Sequence, residues 1–277
     1  MSANQQQIDY WNGQAGATWV AAQARLDAML EPLSVIALQR AAVQAGERVI
    51  DVGCGCGATS LAMAQQGAEV WGLDISAPML DHARARADGL SGVTFSVGDA
   101  ASVPLTPDHD LIFSRFGVMF FADPVAAFRH LRSGLRDDGR LVFLCWQAPR
   151  ENPWVSVGGA AIQPFLPTPA APPDPRAPGP FAFGDLDYLH GVLAAAGYAN
   201  IVIDSVREKL TLGADLDEAM AFQGQVGPAA RALAELQGDQ REAALAAARE
   251  ALVPYLSSTG VVLEGATWLV SATQGAD

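Results

Sequence analysis

Lys209 is the only lysine in 277 residues, and Lys plus Arg total 17 against 30 Asp plus Glu, a net charge of −13. A phosphate backbone needs a basic face, so this balance argues against nucleic acid as a partner. Long apolar runs are missing as well: none reaches the roughly 18 residues of a membrane span, and no signal-peptide pattern or Lys-rich terminus stands out. The expectation is a soluble, cytoplasmic protein with no membrane partner. Cysteine is sparse, three in all, with Cys54 and Cys56 in one short loop. That usage fits a reducing compartment, and a C-x-C without a second ligand pair predicts no metal site. No internal repeat is present. The remaining composition, 50% hydrophobic, suffices for one large α/β domain with a smaller appendage.

The richest stretch is 49–57, V-I-D-V-G-C-G-C-G. It reads as a buried parallel strand that breaks into a loop only glycines can form, because the backbone must turn left-handed or approach a ligand closely. The following A-T-S-L-A-M-A-Q (58–65) has helix-forming composition, so the loop leads into a helix N-terminus, the place where ligands with anionic groups bind. Strand, glycine loop and helix together make a nucleotide-binding turn.

Around this turn the chain alternates. Residues 1–45 read as helical, with Leu26, Met29, Leu30, Leu33 and Ile36 at helical spacing and Gly46 as the closing cap. Strands are expected at 48–52, 69–73, 93–97, 110–115 and 139–146, and helices at 58–66, 77–87 and 124–135. Ser76 and Asp123 stand where N-caps belong, each followed within two residues by proline. From Ala148 the composition turns proline-rich, with P-A-A-P-P-D-P-R-A-P-G-P at 169–180. This reads as a linker or as a partly ordered insertion. A helix over 183–197, a strand at 200–211, helices across 214–255 and a last strand at 265–272 complete the pass. Such alternation means a doubly wound, mostly parallel sheet with ligands at the carboxyl ends of its strands, where Gly53, Asp74, Asp99, Phe116 and Trp146 fall.

Gly53, Gly55 and Ala58, with Asp74 about 20 residues on, also satisfy the dinucleotide fingerprint G-x-G-x-x-G/A, which leaves a nicotinamide-dependent oxidoreductase open. Against it, Lys209 has Ser205 rather than tyrosine four residues before it. The fuller pattern D-x-G-x-G-x-G, with V-W-G-L-D-I-S (70–76), V-G-D-A (97–100), D-L-I-F-S-R-F (110–116) and G-R-L-V-F-L-C-W (139–146), resembles the class I S-adenosylmethionine-dependent methyltransferases, in particular their quinone-biosynthesis-type branch. The motifs cover about a hundred residues in the right order. The resemblance implies a seven-stranded Rossmann-like sheet with a reversed last strand beside the sixth. It also implies an N-terminal helical lid (1–45), a cofactor core (46–147), an insertion over the pocket (148–182) and a C-terminal part (183–277) with a helical insertion at 214–255.

What the resemblance implies for the site can be set residue by residue. The cofactor is S-adenosylmethionine, held by Asp51, by backbone N–H groups at Gly53, Gly55 and Gly57, and by Ile75 and Met79. Asp74 would accept the ribose hydroxyls, its alternative being a helix cap. Asp99 would take the adenine amino group beside Ala100, its alternative being a turn aspartate. The cofactor's sulfonium suits aromatic faces, for which Tyr10, Trp11, Trp19, Phe116 and Trp146 are candidates, Trp19 foremost, with core packing as the alternative for each. Arg115, Met119, Phe120 and Trp154 join Tyr10 and Trp146 as candidate lining of the acceptor pocket, although Arg115 could equally bridge to a helix. The four histidines stand away from the expected site. The expected reaction is methyl transfer to a small apolar or aromatic acceptor at O, N or C, with no catalytic residue assigned. A homodimer and a non-catalytic, cofactor-binding regulatory protein stay open.

Overall fold

The computed structural model describes residues 4–167 and 174–275, so residues 169–173 of the proline-rich run lie outside the described residues. Three helices come first: α1 (Gln5–Asn12), α2 (Gln14–Ala21) and α3 (Gln23–Ala41). Leu26, Met29, Leu30, Leu33 and Ala37 form the buried stripe of α3, as their spacing requires. The helix stops earlier than Gly46 suggests. Ala42 takes the left-handed cap position at φ 48° and donates its N–H to Leu38 O at 3.0 Å. Gly46 instead turns the chain into the sheet, donating to Gly67 O at 2.8 Å.

The alternation then follows as β1 (Arg48–Val52), α4 (Ala58–Gln65), β2 (Glu69–Asp74), α5 (Ala77–Arg86), β3 (Val93–Val97), β4 (His109–Arg115), α6 (Pro124–Arg132) and β5 (Leu135–Trp146). Both expected N-caps are present. The Ser76 hydroxyl accepts the Met79 N–H at 3.4 Å and the Asp123 carboxylate accepts the Ala126 N–H at 3.0 Å. Helix α6 ends three residues before the expected 135, because Leu135 already pairs with His109. Residues 98–108 connect β3 to β4 without a helix.

After β5 come α7 (Pro153–Ile162), α8 (Leu186–Ala195), β6 (Tyr198–Gly213), α9 (Leu216–Gln223), α10 (Pro228–Ala234), α11 (Gly238–Leu252), β7 (Leu256–Ser257) and β8 (Gly260–Gln274). The sheet order is β3-β2-β1-β4-β5-β8-β6, with β7 paired to β8. Strands β1 to β5 pair in parallel, whereas β8 runs antiparallel to β5, from Arg140↔Thr273 to Trp146↔Thr267. The reversed strand beside the sixth is thus present. The strand count is eight rather than seven because the two-residue β7 pairs Leu256 with Val261, too short a segment to show in an alternation pattern. The order reverses between β1 and β4, which opens the crevice typical of such sheets at their carboxyl ends.

The chain divides into two compact units. One comprises residues 1–146, 175–206 and 267–277 and contains the parallel strands; the other comprises residues 147–174 and 207–266. In the second unit Ile162, Ala229, Leu233, Leu236, Ala244 and Ala248 form a buried cluster. There the segment read from composition as linker or insertion makes a helix, α7, opened by Pro153 at a position where its missing N–H is no loss. Asn152 fixes that start from a fully buried position: its Nδ2 donates to Gln147 O at 3.1 Å, and its Oδ1 accepts from Ala266 N at 2.8 Å and Trp154 Nε1 at 3.1 Å.

Arg140 joins α3 to the sheet. Its Nε and Nη2 donate to Ala41 O at 2.9 and 2.7 Å, and its Nη1 and Nη2 donate to Glu47 at 2.9 and 2.8 Å. The Glu47 carboxyl is held below its ordinary pKa chiefly by this guanidinium. A lowered carboxyl stabilises the fold above its unfolded pKa, and that gain is lost as pH falls. Arg140→Leu should lower unfolding free energy at pH 7 by about 2 kcal/mol, and the difference from the unaltered protein should shrink as urea unfolding is repeated toward pH 3. A pH-independent difference would assign the loss to packing alone.

Candidate functional site

Three glycines make the loop after β1, and a different neighbour excludes a side chain at two of them. A Cβ on Gly53 (φ 65°) would lie 2.6 Å from Gly117 Cα, so here the loop backbone touches the backbone after β4. A Cβ on Gly57 (φ 81°) would meet Phe95 at 3.0 Å and Ala83 at 3.1 Å, the packing of the loop against β3 and α5. Gly55 differs: beyond its φ of 55°, the nearest atom is the Met79 methyl at 3.8 Å. The open flank of the loop is at Gly55.

The loop's N–H groups are not free for a ligand in the way the motif suggests. Gly53 and Cys54 donate to Leu73 O at 2.8 and 3.1 Å, and Gly57 donates to Cys54 O at 2.9 Å. Gly55 donates to Asp74 Oδ2 at 2.8 Å. Backbone polar groups pair wherever the fold allows it, and parallel packing of β1 on β2 brings these acceptors within reach. Gly53 and Gly57 therefore shape the loop, and Gly55 is left as the glycine with an open flank.

Asp74 ends β2 with both oxygens engaged, Oδ2 by Gly55 N and Oδ1 by Ser76 N at 2.8 Å. Each oxygen keeps a second lone pair for a hydroxyl donor. Asp51, fully buried, accepts from Thr59 Oγ1 at 2.8 Å and Ser60 Oγ at 2.6 Å through Oδ2. Its Oδ1 is buried with no partner. Burial pushes both carboxyls up, each to about 6. The thiols of Cys54 and Cys56 are likewise raised by burial, Cys56 to about 11, so they stay protonated small residues; among the described residues no cluster of metal-binding side chains occurs.

Asp99 follows β3 and accepts Ala101 N at 3.0 Å and Asn4 Nδ2 at 3.3 Å; Ala100 beside it is buried. The N-terminal helices dock along the same end of the sheet. Asn12 Nδ2 donates to Ile75 O at 2.8 Å, its Oδ1 accepts Ala77 N at 3.0 Å, and Ser76 Oγ donates to Trp11 O at 2.8 Å. Gly16 permits this turn, since a Cβ there would sit 2.1 Å from Trp11 O. Neither Asn4 nor Asn12 stands out in the sequence, because their partners are 95 and 63 residues away.

The candidate aromatics fall into two groups in the first unit. Trp11 packs edge-on against Tyr10, Trp19 and Phe120 at 5.1, 5.6 and 5.5 Å. Phe116 stacks on Trp146 at 4.3 Å and 6°. Phe116 has a φ of 68°, an uncommon conformation for a bulky side chain and one that concentrates at binding sites. Met119 is buried, and its sulfur accepts the Trp146 N–H at 3.4 Å. Arg115, read as either a carboxylate holder or a bridge to a helix, is a bridge: Nη1 donates to Ser34 Oγ at 2.8 Å and Nη2 lies 3.6 Å from Asp27. Trp154 belongs to the second unit, donating to Asn152. His109 is buried at the amino end of β4, and burial lowers its pKa; His82 and His130 hydrogen-bond Gln23 and Val103 O.

A family model described as a methyltransferase domain matches residues 49–139, from β1 into β5. This stretch of the chain is thus similar to methyltransferase domains. Demethylmenaquinone methyltransferase of Clavibacter sepedonicus is 34% identical over 106 residues, 38% of this chain and 43% of that protein. YcgJ, an uncharacterized methyltransferase of Bacillus subtilis strain 168, is 32% identical over 117 residues, 41% of this chain and 46% of the relative. The crystal structure of YcgJ matches at a TM-score of 0.58 and 20% identity, covering 88% of this chain and 98% of that one, a likeness of fold. The chain spans about half the length of the curated relatives it matches. The quinone-biosynthesis-type resemblance of the motifs is borne out. No helix among the described residues is long and apolar enough to cross a membrane.

Two measurements check this geometry. Gly57→Val should destabilise by about 3 kcal/mol or more through overpacking and a forced left-handed residue, whereas Gly55→Val should lose about 1–2 kcal/mol, from the backbone alone; equal losses would remove the distinction. For Asp51, the folded carboxyl, near 6, binds its proton more tightly than the unfolded one at 3.8, so its contribution to stability falls as pH rises through that window. Asp51→Asn should therefore gain stability relative to the unaltered protein between pH 4 and pH 7 in thermal unfolding, and a flat difference would place that proton elsewhere.

Proposed function

We propose that this chain is an S-adenosylmethionine-dependent methyltransferase that transfers a methyl group in line to O, N or C of a small apolar or aromatic acceptor. The observation that carries the reading is the open flank of Gly55 beside the Asp74 carboxylate, at the carboxyl ends of β1 and β2 within a methyltransferase domain. The cofactor supplies, when bound, a methyl group already activated on a sulfonium.

The chain's residues fit that group. Asp74 has lone pairs left for two hydroxyls, and Asp99 has a carboxylate for an amino donor at the next strand end. Gly55 leaves a flank without a β-carbon, with the Met79 methyl 3.8 Å from where one would stand. The unpartnered Oδ1 of Asp51 is a buried acceptor near the same loop, and a cation nearby would favour its ionised form. Tyr10, Trp11, Trp19 and Phe120 form one aromatic wall, and Phe116 with Trp146 a second. Such walls exclude water and hold a flat acceptor by stacking, and alignment in a dry site can supply up to about 7–11 kcal/mol of the barrier. An aromatic acceptor agrees with the similarity to demethylmenaquinone methyltransferase.

Calorimetry with S-adenosylmethionine, S-adenosylhomocysteine and NAD tests the cofactor, and a screen of phenols, quinols and aromatic acids for methylated product tests the acceptor. Asp74→Asn should weaken S-adenosylhomocysteine about ten- to a hundredfold, by loss of charged acceptance. Binding of NAD alone would overturn the reading. Because the Asp51 and Asp74 carboxyls both lie near 6, binding of S-adenosylmethionine at pH 6 should also release protons, seen as a heat that changes with buffer; the same heat in every buffer would separate both carboxyls from the ligand.

A further inference from the structure

Asn4 stands one residue before α1 and is 9% exposed. Its Nδ2 donates to Asp99 Oδ2 at 3.3 Å. The partner fixes the orientation of the amide: a carboxylate only accepts, so the nitrogen faces Asp99 and Oδ1 turns away. That oxygen is buried without a hydrogen-bond partner. The Asn4 side chain therefore makes one long bond at the expense of a stranded acceptor, an arrangement the fold gains little from.

A carboxamide offers an N–H₂ donor beside an acceptor, and so does the edge of adenine, with its amino group beside a ring nitrogen. We infer that Asn4 occupies the seat of the nucleobase amino group in the ligand-free protein, so that the N-terminal segment is a built-in competitor of the cofactor. The inference rests on the cofactor reading above, in which Asp99 receives that amino group. On binding, the nucleobase amino group replaces the Asn4 amide on Asp99, and Asn4 is released to water, where both its amide atoms are satisfied. The hold of Asn12 on Ile75 and Ala77 is separate from this exchange, so the segment can yield at its first turn while staying docked at the end of α1. The device would set the affinity of the site and couple its filling to movement of Asn4 and the first turn of α1.

Asn4→Ala removes the competitor, and Asn4→Asp repels it from Asp99 by like charge. Calorimetry with S-adenosylhomocysteine on the full chain should give a Kd about three- to tenfold lower in both variants. In the unaltered protein, saturating S-adenosylhomocysteine should speed amide exchange at residues 5–8 and leave residues 9–12 protected. An unchanged or higher Kd in Asn4→Ala, or slower exchange at residues 5–8 with ligand, overturns the competitor and makes Asn4 part of the bound state. The two readings fail in distinguishable ways. If the unaltered protein and both variants are folded by circular dichroism yet none binds S-adenosylhomocysteine, the cofactor reading falls and this inference with it; if all bind with one Kd, only the inference falls.

Discussion

Asp74 accepts one N–H from the loop after β1 and one from the turn into α5, each at 2.8 Å. Through these two bonds a single carboxylate sets the position of Gly55, starts α5 behind Ser76, and fixes the turn on which Asn12 and Trp11 dock. The charge is held in a buried place, which is why its carboxyl rises to about 6. Burial of an acid is unfavourable unless donors surround it, and here the donors are the backbone of the site itself. The loop, the helix start and the N-terminal helices thus share one electrostatic anchor.

Much of this was legible in the sequence where a property is local. The apolar run before Gly53, the cap residues Ser76 and Asp123, and the period of α3 each write their structure within a few residues. The alternation of strands and helices is a sum of such local signals, and the sheet order follows from it. Ala42 was not legible, because a left-handed cap usually needs glycine, and the nearest one, Gly46, drew the boundary four residues late. Strand β7 and the start of α7 escaped because contacts decide them: a pairing only two residues long, Leu256 with Val261, and the bond of Asn152 to Ala266 N, 114 residues away.

The site divides along the same line. Gly53, Gly55 and Gly57 look alike in the motif, yet Gly117, Met79 and Phe95 give them different neighbours, and only three-dimensional contact separates their roles. Arg115 has two readings of equal standing in the sequence, and Ser34 and Asp27 beside it decide between them. Asn4 and Asn12 act across 95 and 63 residues, a distance over which no motif extends. Chemistry carried by residue type was readable, and chemistry carried by proximity was not.

The reversed strand β8 completes the first unit by pairing with β5, Arg140 against Thr273, although the whole second unit is encoded between them. That gives the sheet a very high contact order. Closing so long a loop is entropically demanding, and folding slows as contacts become less local. During synthesis β1 to β5 are complete well before their antiparallel neighbour exists, so β5 waits as an open edge, and open edges invite association with other chains. The charged start of β5, Arg136 to Asp138, is the kind of sequence that keeps such an edge apart from its like while the rest of the chain is made.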